Sequence, residues 1–136
     1  MSAFDFERLD VYKAAIEFIV VTHAIVERLP RGRAYLVDQL QRAATSIALN
    51  IAEGAGEGAK PEKARFYRMS RRSTFECAAI LDVLQAEHLA DETELRTGRE
   101  LLERIGMMLT RLVATAKRTD SDSGSDSDSA NTFPGA

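Results

Sequence analysis

Apolar residues along this chain recur at spacings of three and four, the period of a helix with one side turned to a core. The pattern predicts four helices. The first spans residues 6–29, with Leu9, Tyr12, Ile16, Ile19, His23 and Val26 on one face and Pro30 ending it. The second spans residues 34–52, with Leu36, Leu40, Ala43, Ile47 and Ile51 inward and Gly54, Gly56 and Gly58 as its stop. The third starts near Pro61, a residue suited to a first helical turn, and carries Phe66, Met69, Ser73, Cys77, Ile80 (or Leu81) and Leu84 toward His88. The fourth starts at Asp91, whose carboxylate suits an N-cap, with Glu94 three residues on to complete a capping box. Its seam is Leu95, Leu102, Ile105, Leu109, Leu112 and Ala116. No run alternates over strand length, and connections this short favour antiparallel neighbours. The expected fold is all-α, an antiparallel up-down-up-down four-helix bundle.

The second helix carries a polar stripe beside its apolar one: Arg42, Ser46, Asn50 and Glu53. A solvated face is more commonly Lys, Glu and Gln, whereas Ser and Asn are indifferent helix formers that compete for backbone hydrogen bonds. The stripe is therefore expected to face the third helix, where Ser73 and Glu76 offer partners. In that network Arg42 pairs with Glu76, while Ser46, Asn50 and Ser73 satisfy polar groups between the helices. Val11, Val20, Val21, Ile25, Leu49, Phe75, Leu101 and Met107 lie off the main stripes. Helices this broadly apolar often bury a second face, which points to self-association.

With 136 residues, 45% of them hydrophobic, the chain suits one domain, placed at residues 1–119. Residues 120–136, DSDSGSDSDSANTFPGA, break the pattern. Repeated Asp, Ser and Gly bury too little apolar surface to offset the entropy of ordering, so this tail is expected to be disordered and solubilising. Its carboxylates also suit covering a basic patch, in imitation of nucleic acid. The net charge of −3 owes much to Asp120, Asp122, Asp126 and Asp128. Without these four, 17 acidic residues face 18 basic ones, for a net +1. The single cysteine, Cys77, excludes an intramolecular disulfide, and no secretory or membrane-spanning run is evident, so a cytoplasmic location is expected.

Catalytic chemistry finds little footing. The glycines at 54, 56 and 58 follow a helix rather than a strand, and no Lys-Ser or Lys-Thr pair follows them, unlike a phosphate loop. Neither His23 nor His88 completes a Glu-x-x-His pair of the kind that holds two metals in a bundle. Cys77 reads as a small buried hydrophobe. No catalytic residue, metal or cofactor is expected, and the chain reads as a non-enzyme. One basic cluster remains in KPEKARFYRMSRRS, where Lys63, Arg65, Arg68, Arg71 and Arg72 lie within about three helical turns, with Phe66 and Tyr67 interleaved. Arginine pairs bidentately with phosphate and aromatic rings stack on bases, so these five are candidates for nucleic-acid binding. The competing reading has Glu62, Glu76 and acids on neighbouring helices neutralising them, with Phe66 in the core.

Three motifs carry a resemblance: F-x-x-L-D-V-Y at 6–12, Q-L-x-R-A-A-x-S-I-x-x-N-I-A-E-G at 39–54, and S-x-x-E at 73–76. They resemble the four-helix-bundle proteins related to 23S rRNA-intervening-sequence proteins, over roughly residues 4–116. That family is distantly similar to the accessory protein of diversity-generating retroelements, a basic pentameric barrel. The resemblance implies an antiparallel bundle assembling as a homopentamer, with Arg42, Ser46, Asn50, Glu53, Gly54, Ser73 and Glu76 as fold-defining residues and no catalytic residues to carry over. The expected function is a non-enzymatic homo-oligomer that binds RNA or a nucleoprotein partner through the third helix. The alternative is a protein-interaction scaffold without nucleic acid.

Overall fold

In the computed structural model, which describes residues 4–118, a single tight turn (Asp5–Arg8) leads into four helices: α1 (Asp10–Glu27), α2 (Ala34–Gly56), α3 (Lys60–Ala86) and α4 (Glu92–Arg118). The acidic segment 120–136 lies outside the described residues. Cross-helix pairs fix the directions. Gln39 meets Glu76, Ser46 meets Ser73 and Gly54 meets Tyr67, so α2 and α3 run antiparallel. Arg99 pairs with Asp82 and Arg71 with Thr110, which makes α3 and α4 antiparallel. Arg28 reaches Glu94 while Phe18 lies near Gly98, so α1 and α4 are antiparallel as well. Each helix packs on two neighbours in the cycle α1, α2, α3, α4, with no close backbone approach across either diagonal among the described residues.

The predicted seams of α2 and α4 are the buried ones: Leu36, Leu40, Ala43, Ile47 and Ile51 on the first, and Leu95, Leu102, Ile105, Leu109 and Ala116 on the second. Leu112 is half-buried against them. The predicted seam of α1 is displaced by one position. Val11, Ala14, Ala15, Phe18, Thr22 and Ile25 face the core, while Ile16 and His23 are exposed. Apolar residues flank both sides of this helix, so periodicity alone does not choose between them. The choice is made by volume: Phe18 sits where Gly98 of α4 leaves room, since a Cβ there would lie 3.4 Å from the Phe18 ring. Val11, Ile25 and Leu101, which fall off the predicted stripes, are thus core residues, whereas Val20, Leu49 and Met107 stay exposed.

The first half of α3 shows the same displacement. Ala64, Tyr67, Ser70 and Thr74 are buried in place of Phe66, Met69 and Ser73, which are half-buried. Small residues at the contact let α2 and α3 approach closely, and the helix that can present Ser70 and Thr74 to its neighbour does so.

Gly54 is not a helix stop. α2 continues through it to Gly56, and Gly54 is buried inside the helix against the flat of Tyr67. A Cβ at Gly54 would meet Tyr67 Cε1 at 2.8 Å and Cδ1 at 2.9 Å. The end of α3 is terminated differently from a glycine cap. His88 takes a left-handed conformation (φ 56), Leu89 N–H donates to the Leu84 carbonyl at 2.9 Å and His88 N–H to the Gln85 carbonyl at 3.1 Å. This is a Schellman closure with histidine where glycine is usual, and Leu89 packs back on the core as that motif requires. Asp91 caps α4 as expected, accepting from Thr93 N–H at 2.7 Å. Glu94 turns instead to Arg28, at 3.4 Å.

The Gly54 contact makes a sharp prediction. Gly54→Ala gains about 1 kcal/mol of helix propensity but loses more by overpacking, about 1–3 kcal/mol. Gly56→Ala, with nothing within 4 Å of its Cβ, gives no such loss. Urea unfolding should show a lower midpoint for the first variant and an unchanged or higher one for the second.

Candidate nucleic-acid interface

The five basic residues of α3 divide into two groups. Lys63 belongs to the scaffold: its Nζ donates to the Gly54 carbonyl at 2.7 Å and the Ala55 carbonyl at 3.2 Å, satisfying the C-terminal end of α2, and sits 5.8 Å from the centre of the Tyr67 ring. Arg65 is neutralised locally. Its Nε and Nη2 both reach Glu62 Oε1, at 3.0 and 2.9 Å, and its guanidinium lies 4.7 Å over the Phe66 ring. The hydrogen bond and charge of Glu62 hold the Arg65 pKa above its ordinary value.

Arg68, Arg71 and Arg72 remain, within a single helical turn. Arg68 and Arg72 are exposed, and none of the three has an ion pair among the described residues. Arg71 is half-buried and anchored on α4, donating to Thr110 Oγ1 at 3.4 Å. Burial, and then the charge of Arg68, push its pKa below the usual arginine value. The two guanidiniums are thus close enough to repel. The aromatics do not accompany them as expected. Tyr67 is 4% exposed and packed on Gly54, and Phe66 is half-buried beneath Arg65.

The predicted polar network forms in part. Ser73 Oγ donates to Ser46 Oγ at 2.9 Å, and Asn50 Nδ2 donates to the Ser46 carbonyl at 2.9 Å and to Ser46 Oγ at 3.0 Å. Arg42 does not reach Glu76. It pairs with Asp38 on its own helix at 3.7 Å, and Gln39 donates to Glu76 instead, at 3.3 Å. Arg42 lies too far round the exposed side of α2, and a partner one turn away on the same helix needs no desolvation. Glu53 is exposed. The deeper part of the contact escapes the sequence reading: Ser70 Oγ, fully buried, donates to the Ile47 carbonyl at 2.8 Å, and Thr74 Oγ1 to the Ser70 carbonyl at 2.9 Å. The recurrence of small residues at Ala44, Ala48, Ser70 and Thr74 is the signal that marks it.

A bundle of this register, closed between α2 and α3 by the residues of the central motif, is matched by the family model of the 23S rRNA-intervening sequence protein across residues 7–111. The chain belongs to that family. No curated protein matches the chain. The family match covers all four helices except the last turns of α4, so the arginine surface lies within the shared region. Among the described residues, no helix is long and apolar enough to cross a membrane.

The other candidate reactive groups lie apart. His23 pairs with Glu27 one turn on, at 3.1 Å, and His88 closes α3. Among the described residues, no group of three or more His, Cys, Asp or Glu is placed to hold a metal ion. Cys77 is fully buried, and burial, followed by the charge of Glu76, pushes its thiol up to about 12. A thiol reagent should therefore leave the native protein unmodified and titrate one thiol after denaturation. The pH dependence has a definite sign. An unfolded thiol ionises near pH ~8.5 while the folded one resists, so stability is complete below that pH and falls as pH rises toward 12. Cys77→Ala should flatten that alkaline slope in urea titrations.

Proposed function

We propose that this chain is a non-enzymatic, self-associating bundle of the cytoplasm that holds nucleic-acid phosphates on Arg68, Arg71 and Arg72. The observation that carries this reading is a triad of guanidiniums in about one turn with no carboxylate paired to it among the described residues, beside Lys63, held by the end of α2, and Arg65, neutralised by Glu62. Crowded like charges are relieved by an anion, and a guanidinium fork matches phosphate oxygens. With Tyr67 buried and Phe66 covered, the surface offers cations without a free stacking ring, so it suits the sugar-phosphate backbone of structured RNA rather than splayed bases. Recognition of this kind is tolerant of sequence and sensitive to salt.

Duplex RNA and the full chain should therefore associate at low ionic strength, as read by fluorescence anisotropy. Each arginine removed lowers the slope of log affinity against log salt by about 1, so Arg68→Ala with Arg72→Ala should flatten it by about 2. Lys63→Met should leave the slope alone while lowering the unfolding midpoint. Absence of salt-sensitive binding would sink the proposal.

Self-association draws on exposed apolar residues that the bundle leaves uncovered. Ile16 and Val20 stand one turn apart on the outer side of α1, 41% and 65% exposed, and Leu49 and Met107 add to the surplus. A homopentamer is the state implied by the family resemblance. Light scattering should give a mass several times that of the chain, and Val20→Glu should reduce it. A monomer at high concentration would overturn this part of the reading.

A further inference from the structure

We infer that, in the absence of nucleic acid, the Arg68, Arg71 and Arg72 surface is occupied by the acidic segment 120–136 of the same chain. The inference rests on the reading of that surface as an anion site. Its first support is charge. Residues 120–136 carry Asp120, Asp122, Asp126 and Asp128 and no basic residue, whereas on the triad's own helix Glu62 is paired with Arg65 and Glu76 accepts from Gln39 rather than pairing with Arg72 among the described residues. The second support is the course of the backbone. α4 runs antiparallel to α3, so its end at Arg118 lies beside the beginning of α3, the side from which Arg68 is reached before Arg71.

Distance favours the same conclusion. Arg71 is level with Thr110, and the eight residues from there to Arg118 rise about 12 Å along α4 at ~1.5 Å each. The ten residues from Arg118 to Asp128 can span at most about 33–36 Å, more than the distance to be bridged. A short tether able to bridge its site gives a local ligand concentration on the order of millimolar. Weak individual Asp–Arg pairs then suffice, because the carboxylates cannot diffuse away. The segment stands in for the phosphate chain: repeated anions with serine hydroxyls between them, presented to a face that lacks a stacking partner. Nucleic acid must displace it, which makes the segment a built-in competitor that admits only ligands with several phosphates in reach of the triad.

The test uses the full chain with labelled arginine side chains, comparing wild type with the combined Asp120→Asn, Asp122→Asn, Asp126→Asn and Asp128→Asn variant by NMR. The Nε–Hε signals of Arg68, Arg71 and Arg72 should differ between the two proteins, and added salt should move the wild-type signals to the variant's positions. Signals of Arg31 and Arg96, at the opposite end of the bundle, should coincide. Identical triad signals would overturn the inference, as would equal shifts at all arginines or a difference that grows with protein concentration, which would assign the segment to a neighbouring copy. Duplex RNA should bind the neutralised variant about tenfold more tightly, the factor for removing a competitor of about 0.1 mM affinity held at an effective concentration of about 1 mM. Measurable but equal binding would also overturn it. If neither protein binds RNA while the triad signals still differ, the contact stands and the nucleic-acid reading fails.

Discussion

The hydroxyl of Ser70 sits in the middle of the α2/α3 contact with no exposure to solvent, and the Ile47 carbonyl 2.8 Å away is its partner. Leaving such a group unpaired costs about 1–3 kcal/mol. Sliding α3 along α2 by a turn would orphan it, so this bond fixes the register of the pair. Everything else on that contact follows from the same registration: Gly54 is brought under Tyr67, Ser46 under Ser73 and Gln39 beside Glu76. The apolar seams supply the bulk of the driving force, but they are forgiving of position. A short bond from a buried side-chain hydroxyl to a neighbouring helix's carbonyl is not.

Close approach also explains why two adjacent basic residues have opposite fates. Because Gly54 lets α3 lie against the last turn of α2, Lys63 falls within reach of the carbonyls there and is drawn into the scaffold. One turn further along, Arg68 and Arg72 fall on the side of α3 turned away from its neighbours and are exposed, without an ion pair among the described residues. Arg71, between these situations, is tied to Thr110. The functional surface is thus what remains of a basic run after packing has taken its share.

Much of this was legible in the sequence, and the failures share a cause. The number of helices, the seams of α2 and α4, the Asp91 cap and the joining of Ser46 to Ser73 all follow from spacing, because each of those helices has one clear apolar side. α1 has two, and periodicity could not tell that Phe18 would be preferred, since the room for it is made by Gly98 eighty residues later. In α3 a hydrophobicity reading prefers Phe66 and Met69 for the interior, yet interhelical distance excludes them in favour of Ser70 and Thr74. Gly54 reads as a break because glycine usually is one, and its role in contact shows only once Tyr67 is seen against it. Of the five candidate arginines and lysines, composition could not separate Lys63 and Arg65 from the three without an ion pair among the described residues. That distinction depends on where Glu62 and the end of α2 fall in space.

The cyclic order of the helices carries a consequence for architecture. α1 and α3 occupy opposite corners of the bundle, their backbones separated by the core among the described residues. The outer side of α1, with Ile16 and Val20, therefore looks away from the outer side of α3, with Arg68 and Arg72. Under the proposed self-association, contacts between copies through the first face would leave the second open in each of them. Each added copy would then bring its own arginines to the outside, so charge would accumulate without any one subunit being strongly basic.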